Sequence, residues 1–275
     1  MTAGGRLRAL LAGLVAGVAS GLFGVGGGII LIPLLTGWLS TSQHQAHGTS
    51  LAVIGVTALA SLAVYGAHSH VDWATALAVG IASAFAARLG ARAAARTSPR
   101  GLTMAFAAFM VLVAIRLLWR PAVATAPTVR ELPAALALDL LLGLAVGMLS
   151  GYMGVGGGIL AVPGFTLLMG MPQHLAQGTS LAVILVTAPA GAIEHARHGN
   201  LVWRMVPALA AGASIGAVAA AWWVQGLPHA LLARGFAVFL LATAAATGLR
   251  AARAASPPQR KEPGCEAGLR SRSGD

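Results

Sequence analysis

The chain has 275 residues, of which 57% are hydrophobic and 9% charged, whereas an ordinary soluble domain has about 25% charged residues. With 18 Lys and Arg residues and 7 Asp and Glu residues, it has too few charges to cover a water-soluble globule, which excludes a soluble enzyme. The net charge of +11 does not indicate a nucleic-acid partner, because the arginines occur in short clusters between apolar stretches.

The first half of the chain is predicted to cross a membrane, because apolar stretches of about 20 residues can span the bilayer core. Residues 10–39 are too long for one simple helix and are cut by glycines. Stretches of suitable length for transmembrane helices follow at residues 49–67, 74–95 and 102–119. We therefore predict a first membrane repeat at residues 1–120 and a linker at residues 121–137.

The second half has the same order of elements. A glycine-cut stretch at residues 138–168 precedes apolar spans at residues 181–196, 205–224 and 231–249. We predict a second membrane repeat at residues 138–250, and an all-α integral membrane protein as the fold class. Residues 251–275 are polar and more basic than acidic, and are predicted to form a disordered tail.

The two halves are homologous, because a shift of about 130 residues aligns residues 13–57 with residues 143–187. The aligned motifs are Gly-Val-Gly-Gly-Gly-Ile at residues 24–29 and 154–159, a later proline, and Gly-Thr-Ser-Leu-Ala-Val-Ile at residues 48–54 and 178–184. The chain is therefore predicted to contain two copies of one structural unit.

Arginine positions predict how these units are oriented in the membrane. If each glycine-cut stretch crossed the membrane, the arginines between residues 88 and 100 would lie opposite Arg6 and Arg8, against the positive-inside rule. If each is a re-entrant helical hairpin, both termini and the arginine-rich loops face the cytoplasm. We therefore predict that each repeat has a re-entrant hairpin and three transmembrane helices, and this odd number of crossings inverts the two repeats relative to each other.

Inverted repeats with interrupted helices are typical of transporters, whose substrates bind near the midplane. A short helix after each glycine run would present unpaired N–H groups to a small anion, although the glycines could also serve only close helix packing. Hydroxyls that open the next helices either bind the same anion or cap those helices. The predicted binding residues are Gly24, Gly26, Gly27, Gly28, Thr49 and Ser50 in the first repeat and Gly154, Gly156, Gly157, Gly158, Thr179 and Ser180 in the second.

Histidines recur near these motifs. His44 and His174 precede the helices that follow the glycine runs, and are either gating residues or ordinary interfacial residues. Histidines at the ends of spans are predicted to be surface residues: His68, His70, His195 and His198. Carboxylates also lie near span ends, so no proton-carrying carboxylate is evident in mid-membrane: Asp72, Asp139 and Glu194.

No motif indicates catalysis. The segment Gly212-Ala213-Ser214-Ile215-Gly216 fits a serine-hydrolase pattern, but it lies in an apolar helical stretch and is predicted to be a packing face. The one cysteine, Cys265, lies in the polar tail. The sequence therefore predicts no catalytic residue, no metal site and no cofactor, and the chain is not expected to be an enzyme.

The repeated glycine motif, the proline five residues on and the Gly-Thr-Ser-Leu-Ala segment resemble the sulfite exporter TauE/SafE family, or toluene sulfonate uptake permeases, over residues 10–249. The resemblance implies a multi-pass transporter of the bacterial cytoplasmic membrane for sulfite, organosulfonates or related small anions, with the glycine motifs as shared residues. One departure is Asp72, whose counterpart in the second repeat is Val202.

Transport of a small anion is therefore the favoured function, with the anion and the lipid bilayer as partners and a homodimer left open. Export is favoured because an inside-negative potential drives anions outward, and because uptake would need a coupling ion and buried carboxylates are scarce. The alternative is that histidines carry protons. The alternatives are a membrane-embedded hydrolase, which would need a nucleophile such as Ser214, and a membrane assembly protein that transports nothing.

Overall fold

The apolar stretches fold as α-helices, because inside a bilayer a helix satisfies its backbone hydrogen bonds within its own segment. The computed structural model describes residues 3–94, 100–119 and 132–253, and no β-strand occurs among them. The helices are α1 (Ala3–Phe23), α2 (Gly28–Gly37), α3 (Gln43–Ala67), α4 (Trp73–Ala94), α5 (Arg100–Trp119), α6 (Leu132–Met153), α7 (Gly158–Leu167), α8 (Gln173–Arg197), α9 (Val206–Val224) and α10 (His229–Arg253).

Within the described ranges, seven helices are long and apolar enough to cross a membrane: α1, α3, α4, α6, α8, α9 and α10. The 10-residue helices α2 and α7 span about 15 Å each, half of a bilayer core of about 30 Å. Exposed apolar side chains recur every four residues along α4, at Trp73, Leu77, Ile81 and Phe85, as a lipid-facing stripe requires. The prediction of an all-α, multi-pass membrane protein is confirmed.

Helix α3 begins at Gln43, six residues before the predicted start, because Ser42 caps it. The Ser42 hydroxyl accepts a hydrogen bond from the Gln45 N–H, and the Gln45 side-chain oxygen accepts one from the Ser42 N–H, both at 3.3 Å. Helix α8 likewise begins early, at Gln173. The prediction started each helix at its apolar residues and missed a polar first turn.

These early starts correct two expectations. His44 and His174 lie in the first turns of α3 and α8, not before them. The four hydroxyl residues lie inside the same helices, so the alternative role as helix caps is wrong for them: Thr49, Ser50, Thr179 and Ser180.

Glycines hold α1 against α9 at backbone distance. A Cβ atom on Gly13, Gly17 or Gly21 would lie 2.0–2.3 Å from a carbonyl oxygen of α9, at Leu209, Ala213 and Ala217 in turn. Both series ascend together, so the two helices are parallel. Gly212 and Gly216 approach Leu10 and Leu14 of α1 in the same way, which confirms that the Gly-x-Ser-x-Gly segment is a packing face.

The second repeat has an equivalent pair, since α6 lies parallel to α4. Gly143, Gly147 and Gly151 of α6 contact the carbonyl oxygens of Val79, Ser83 and Ala87 in that order. In contrast, α3 and α8 are antiparallel: Gly48 near the start of α3 faces Asn200, just after α8, and Gly178 near the start of α8 faces His70, just after α3. The fully buried side chains between them include Leu51, Ile54, Leu181 and Ile184.

The predicted boundaries outside the membrane spans fall partly beyond the described residues. Residues 120–131, which include most of the predicted linker, and residues 254–275 of the predicted tail lie outside them. The last part of the predicted linker, residues 132–137, is the first part of α6, and α10 continues to Arg253. The domain division and the inverted orientation of the repeats stay predictions.

Candidate functional site

Two helix breaks lie at the glycine motifs, between α1 and α2 and between α6 and α7. In the first break Gly24, Gly26 and Gly27 have φ values of 67°, 78° and 72°, which only glycine adopts without strain. The corresponding glycines of the second break have φ values of 69°, 84° and 80°: Gly154, Gly156 and Gly157. The local reason for these six glycines is therefore the left-handed turn that reverses the chain.

The two breaks meet each other. A Cβ atom on Gly28 would lie 2.9 Å from Val155 Cα, and one on Gly158 would lie 2.6 Å from Val25 Cα. Ile54 and Ile184, one from each repeat, fill the space beside the breaks. All residues from 24 to 28 and from 154 to 158 are buried. The structure thus brings the predicted glycines together in one central place, packed closed in this conformation.

The predicted hydroxyl residues have two different roles. The Ser50 hydroxyl donates to the Gly154 carbonyl oxygen, and the Ser180 hydroxyl donates to the Gly24 carbonyl oxygen, both at 2.9 Å. Each serine therefore binds the break of the other repeat. The threonine hydroxyls accept instead, at 3.0 Å: Thr49 from the Val202 N–H and Thr179 from the Asp72 N–H. The threonines fix the segments before α4 and α9.

Two serines that sequence analysis did not select lie beside the breaks. Ser20 and Ser150 are fully buried, and their hydroxyls have no hydrogen-bond partner among the described residues. Their carbonyl oxygens accept the N–H groups of Gly24 and Gly154, both at 2.8 Å. A Cβ atom on Gly157 would lie 3.3 Å from Ser150 Cβ. The repeated Ser-Gly pair one turn before each break was the available signal.

Side chains from α3 and α8 hold the carbonyl groups just before each break. Before the first break, Tyr65 donates to the Gly21 carbonyl oxygen (3.0 Å), and Gln177 donates to the Leu22 carbonyl oxygen (3.2 Å). Before the second break, His195 Nε2 lies 3.1 Å from the Gly151 carbonyl oxygen. None of these residues was selected from the sequence.

The expectation that His195 is a surface residue is wrong, since its exposed fraction is 3%. The reason is that α8 continues to Arg197 and its last turns pack on α6. Glu194 is also buried, at 4% exposed, and forms ion pairs with Arg92 (2.9 Å) and Arg197 (3.5 Å).

The two predicted gating histidines have different surroundings. His44 is exposed. His174 is buried; its Nδ1 lies 2.7 Å from His229 Nδ1, and its ring stacks on His70 with a centroid distance of 5.1 Å. A gating role for either histidine stays a prediction.

A groove of about 530 Å³ lies between α3 and α8, away from the breaks. Its lining is apolar apart from Arg197 and includes Leu51, Val56, Pro189 and Trp203, with none of the break glycines. The groove therefore adds no polar group at the breaks.

Comparison with known proteins agrees with this architecture. The family model described as Sulfite exporter TauE/SafE matches residues 6–265. The chain is 31% identical over 227 residues to the probable membrane transporter protein YunE of Bacillus subtilis, covering 74% of this chain and 83% of the relative. It is also 31% identical over 195 residues to a probable membrane transporter protein of Xylella fastidiosa, covering 70% and 74%.

A more distant relative is the probable membrane transporter protein MJ0441 of Methanocaldococcus jannaschii, 26% identical over 192 residues, or 68% of this chain and 70% of the relative. No solved structure matches the chain significantly. The family match covers nearly the whole chain, and the similar proteins are named as probable membrane transporters. The chain belongs to the sulfite exporter TauE/SafE family of membrane transporters.

Proposed function

We propose that the protein moves a small anion across the cytoplasmic membrane and binds it on the backbone N–H groups of the two breaks. The observation that carries the proposal is that the N-termini of α2 and α7 meet at one buried point. Each helix N-terminus carries about half a positive charge. Two such positive ends repel each other, whereas an anion bound between them would be attracted by both.

The donors are available from the helix geometry. The first hydrogen bonds donated within α2 and α7 run from Ile30 to Gly27 and from Leu160 to Gly157. The N–H groups just before them, at the first two positions of each helix, have no intrahelical acceptor, as at any helix N-terminus. Glycine at residues 28 and 158 keeps side-chain atoms away from these donors.

The buried hydroxyls of Ser20 and Ser150 supply two further donors beside the breaks. A buried hydroxyl without a partner is costly, and an anion oxygen would give it one. Sulfite and organosulfonates present three oxygen acceptors on one sulfur, which suits several donors converging from two sides. The family name points to the same substrate class.

Binding requires the breaks to separate, since Gly28 and Gly158 now touch the opposite break. The hydrogen bonds from Ser50 and Ser180 cross between repeats and hold this closed arrangement. The antiparallel packing of α3 on α8 supports inverted repeats, which would open the site to one side of the membrane at a time. The arginine positions favour cytoplasmic termini.

The test is flux in proteoliposomes containing the full chain. Labelled sulfite, sulfate and methanesulfonate are offered separately, with protein-free liposomes as the control. We expect saturable flux of at least one of these anions. If it moves without a coupling ion, a monovalent anion should be driven about fiftyfold per 100 mV toward the positive side. Flux at the protein-free level for all three anions would contradict the proposal.

A further inference from the structure

The two breaks differ in the side chains that support them, although their backbones match. Tyr65 and Gln177 support the first break, and the residues at the same repeat positions beside the second are His195 and His47. A Cβ atom on Gly24 would lie 2.7 Å from Gln177 Cα, and one on Gly154 would lie 2.7 Å from His47 Cα. The same positions therefore carry groups that stay neutral near pH 7 beside the first break and two imidazoles beside the second.

The two imidazoles form a pair, with ring centroids 6.5 Å apart and the rings perpendicular. His195 Nε2 lies on the Gly151 carbonyl oxygen and so carries a hydrogen. His47 Nε2 lies 3.1 Å from Gln43 Nε2, and His47 Nδ1 is buried without a hydrogen-bond partner among the described residues. The pair can hold one added proton, whereas a second would place two like charges close together.

The groups around the pair leave a bound proton without a free counterion. Gln43 and His44 face it from α3, and Glu194 and His198 from α8, while α6 presents only the backbone of Gly151 and Tyr152. The segment before α9 contributes the Asn200 carbonyl oxygen, which lies against Gly48 next to His47. The Glu194 carboxylate is already paired with Arg92 of α4 and with Arg197.

We propose that the His47–His195 pair is a proton-binding site of the second break, and that one proton bound there is transported together with the anion. This inference rests on the proposed function, because the anion at the break is the missing counterion. Each ligand then raises the affinity for the other, as linkage requires. The prediction of export rested in part on the shortage of buried carboxylates, and this pair supplies a proton-binding site of another kind.

The test gives the second break the supporting side chains of the first. The variant that does this, His47→Gln with His195→Tyr, is called the exchange variant. The full chain is placed in proteoliposomes with a pH-sensitive dye in the lumen and a clamped membrane potential. The probes are sulfate and methanesulfonate, neither of which takes up protons near neutral pH. The control variant is His68→Tyr, because His68 is exposed and lies at the opposite end of α3 from His47.

For the wild type and the control we expect about one proton moved per anion, since the pair excludes a second proton. For the exchange variant we expect anion flux with the proton movement lost. If that variant is not recovered folded, His47→Gln with His195→Gln, which keeps a donor to the Gly151 carbonyl oxygen, should show the same loss. Wild-type flux without proton movement, or proton movement that persists in the variants, overturns this inference alone. Absence of wild-type flux for these two anions and for sulfite overturns the proposed function as well.

Discussion

The glycines of the two breaks are required first by the backbone conformation and by close packing. Gly27 has a φ of 72°, and a Cβ atom there would lie 2.2 Å from the Ala16 carbonyl oxygen. Sequence analysis gave these glycines a ligand role, which the structure leaves as a prediction. Substituting them would disturb the fold before it disturbed binding. Residues beside the breaks, whose substitution leaves the backbone intact, are therefore better probes of the site.

Ser20→Ala and Ser150→Ala are such probes. Removing a buried hydroxyl that has no partner should leave stability unchanged or raise it by about 1 kcal/mol. If these hydroxyls bind the anion, each substitution should weaken apparent affinity about tenfold, the worth of one hydrogen bond to a charged group. The measurements are thermal unfolding in detergent and flux against anion concentration.

Ser61→Ala is the matched control, because Ser61 is also buried and unpartnered within the described part of the chain but is not next to a break in sequence. Its stability should respond as in the Ser20 and Ser150 variants, and its flux should stay at the wild-type level. Unchanged affinity in the double variant Ser20→Ala with Ser150→Ala would remove these serines from the proposed site.

Helix packing rests on rows of glycines at which two helix backbones touch, here called glycine seams. Such close contact is needed because between helices in lipid there is little hydrophobic driving force. Gly17→Val tests the seam of α1 and α9, since its Cβ would lie 2.0 Å from the Ala213 carbonyl oxygen. Backbone atoms cannot rotate away, so we expect a cost of about 3 kcal/mol or more. The expected result is loss of the monodisperse peak in size-exclusion chromatography.

Gly66→Val is the control for the seam, because no atom lies within 4 Å of a Cβ built on Gly66. It should behave like the wild type. A Gly17→Val protein with a wild-type elution profile and melting temperature would show that α1 and α9 do not pack this closely.

At the scale of the whole molecule, the sequence was sufficient for the helices and their membrane character, since these follow from hydropathy and length. It also indicated two matching breaks, because the duplicated motif marks them. The polar first turn of α3 was missed although Ser42 and Gln45 have the spacing of a capping box. The sequence did not indicate the burial of His195, which depends on how α8 meets α6. Contacts between repeats, such as Ser50 with Gly154, come only from the assembled fold.

The relative orientation of the repeats can be tested at His68 and His198, which form a matched pair. They occupy equivalent repeat positions, both are exposed, and each Nδ1 lies 2.8 Å from the carbonyl oxygen four residues earlier, at Val64 and Glu194.

His68→Cys and His198→Cys are each made in a Cys265→Ser background and labelled in intact cells with a membrane-impermeant maleimide. Inverted repeats place the two positions on opposite sides, so only His68→Cys should react until the cells are permeabilised. Equal labelling of both cysteines in intact cells would mean that the repeats are not inverted, and alternating access through a shared site would lose its structural basis.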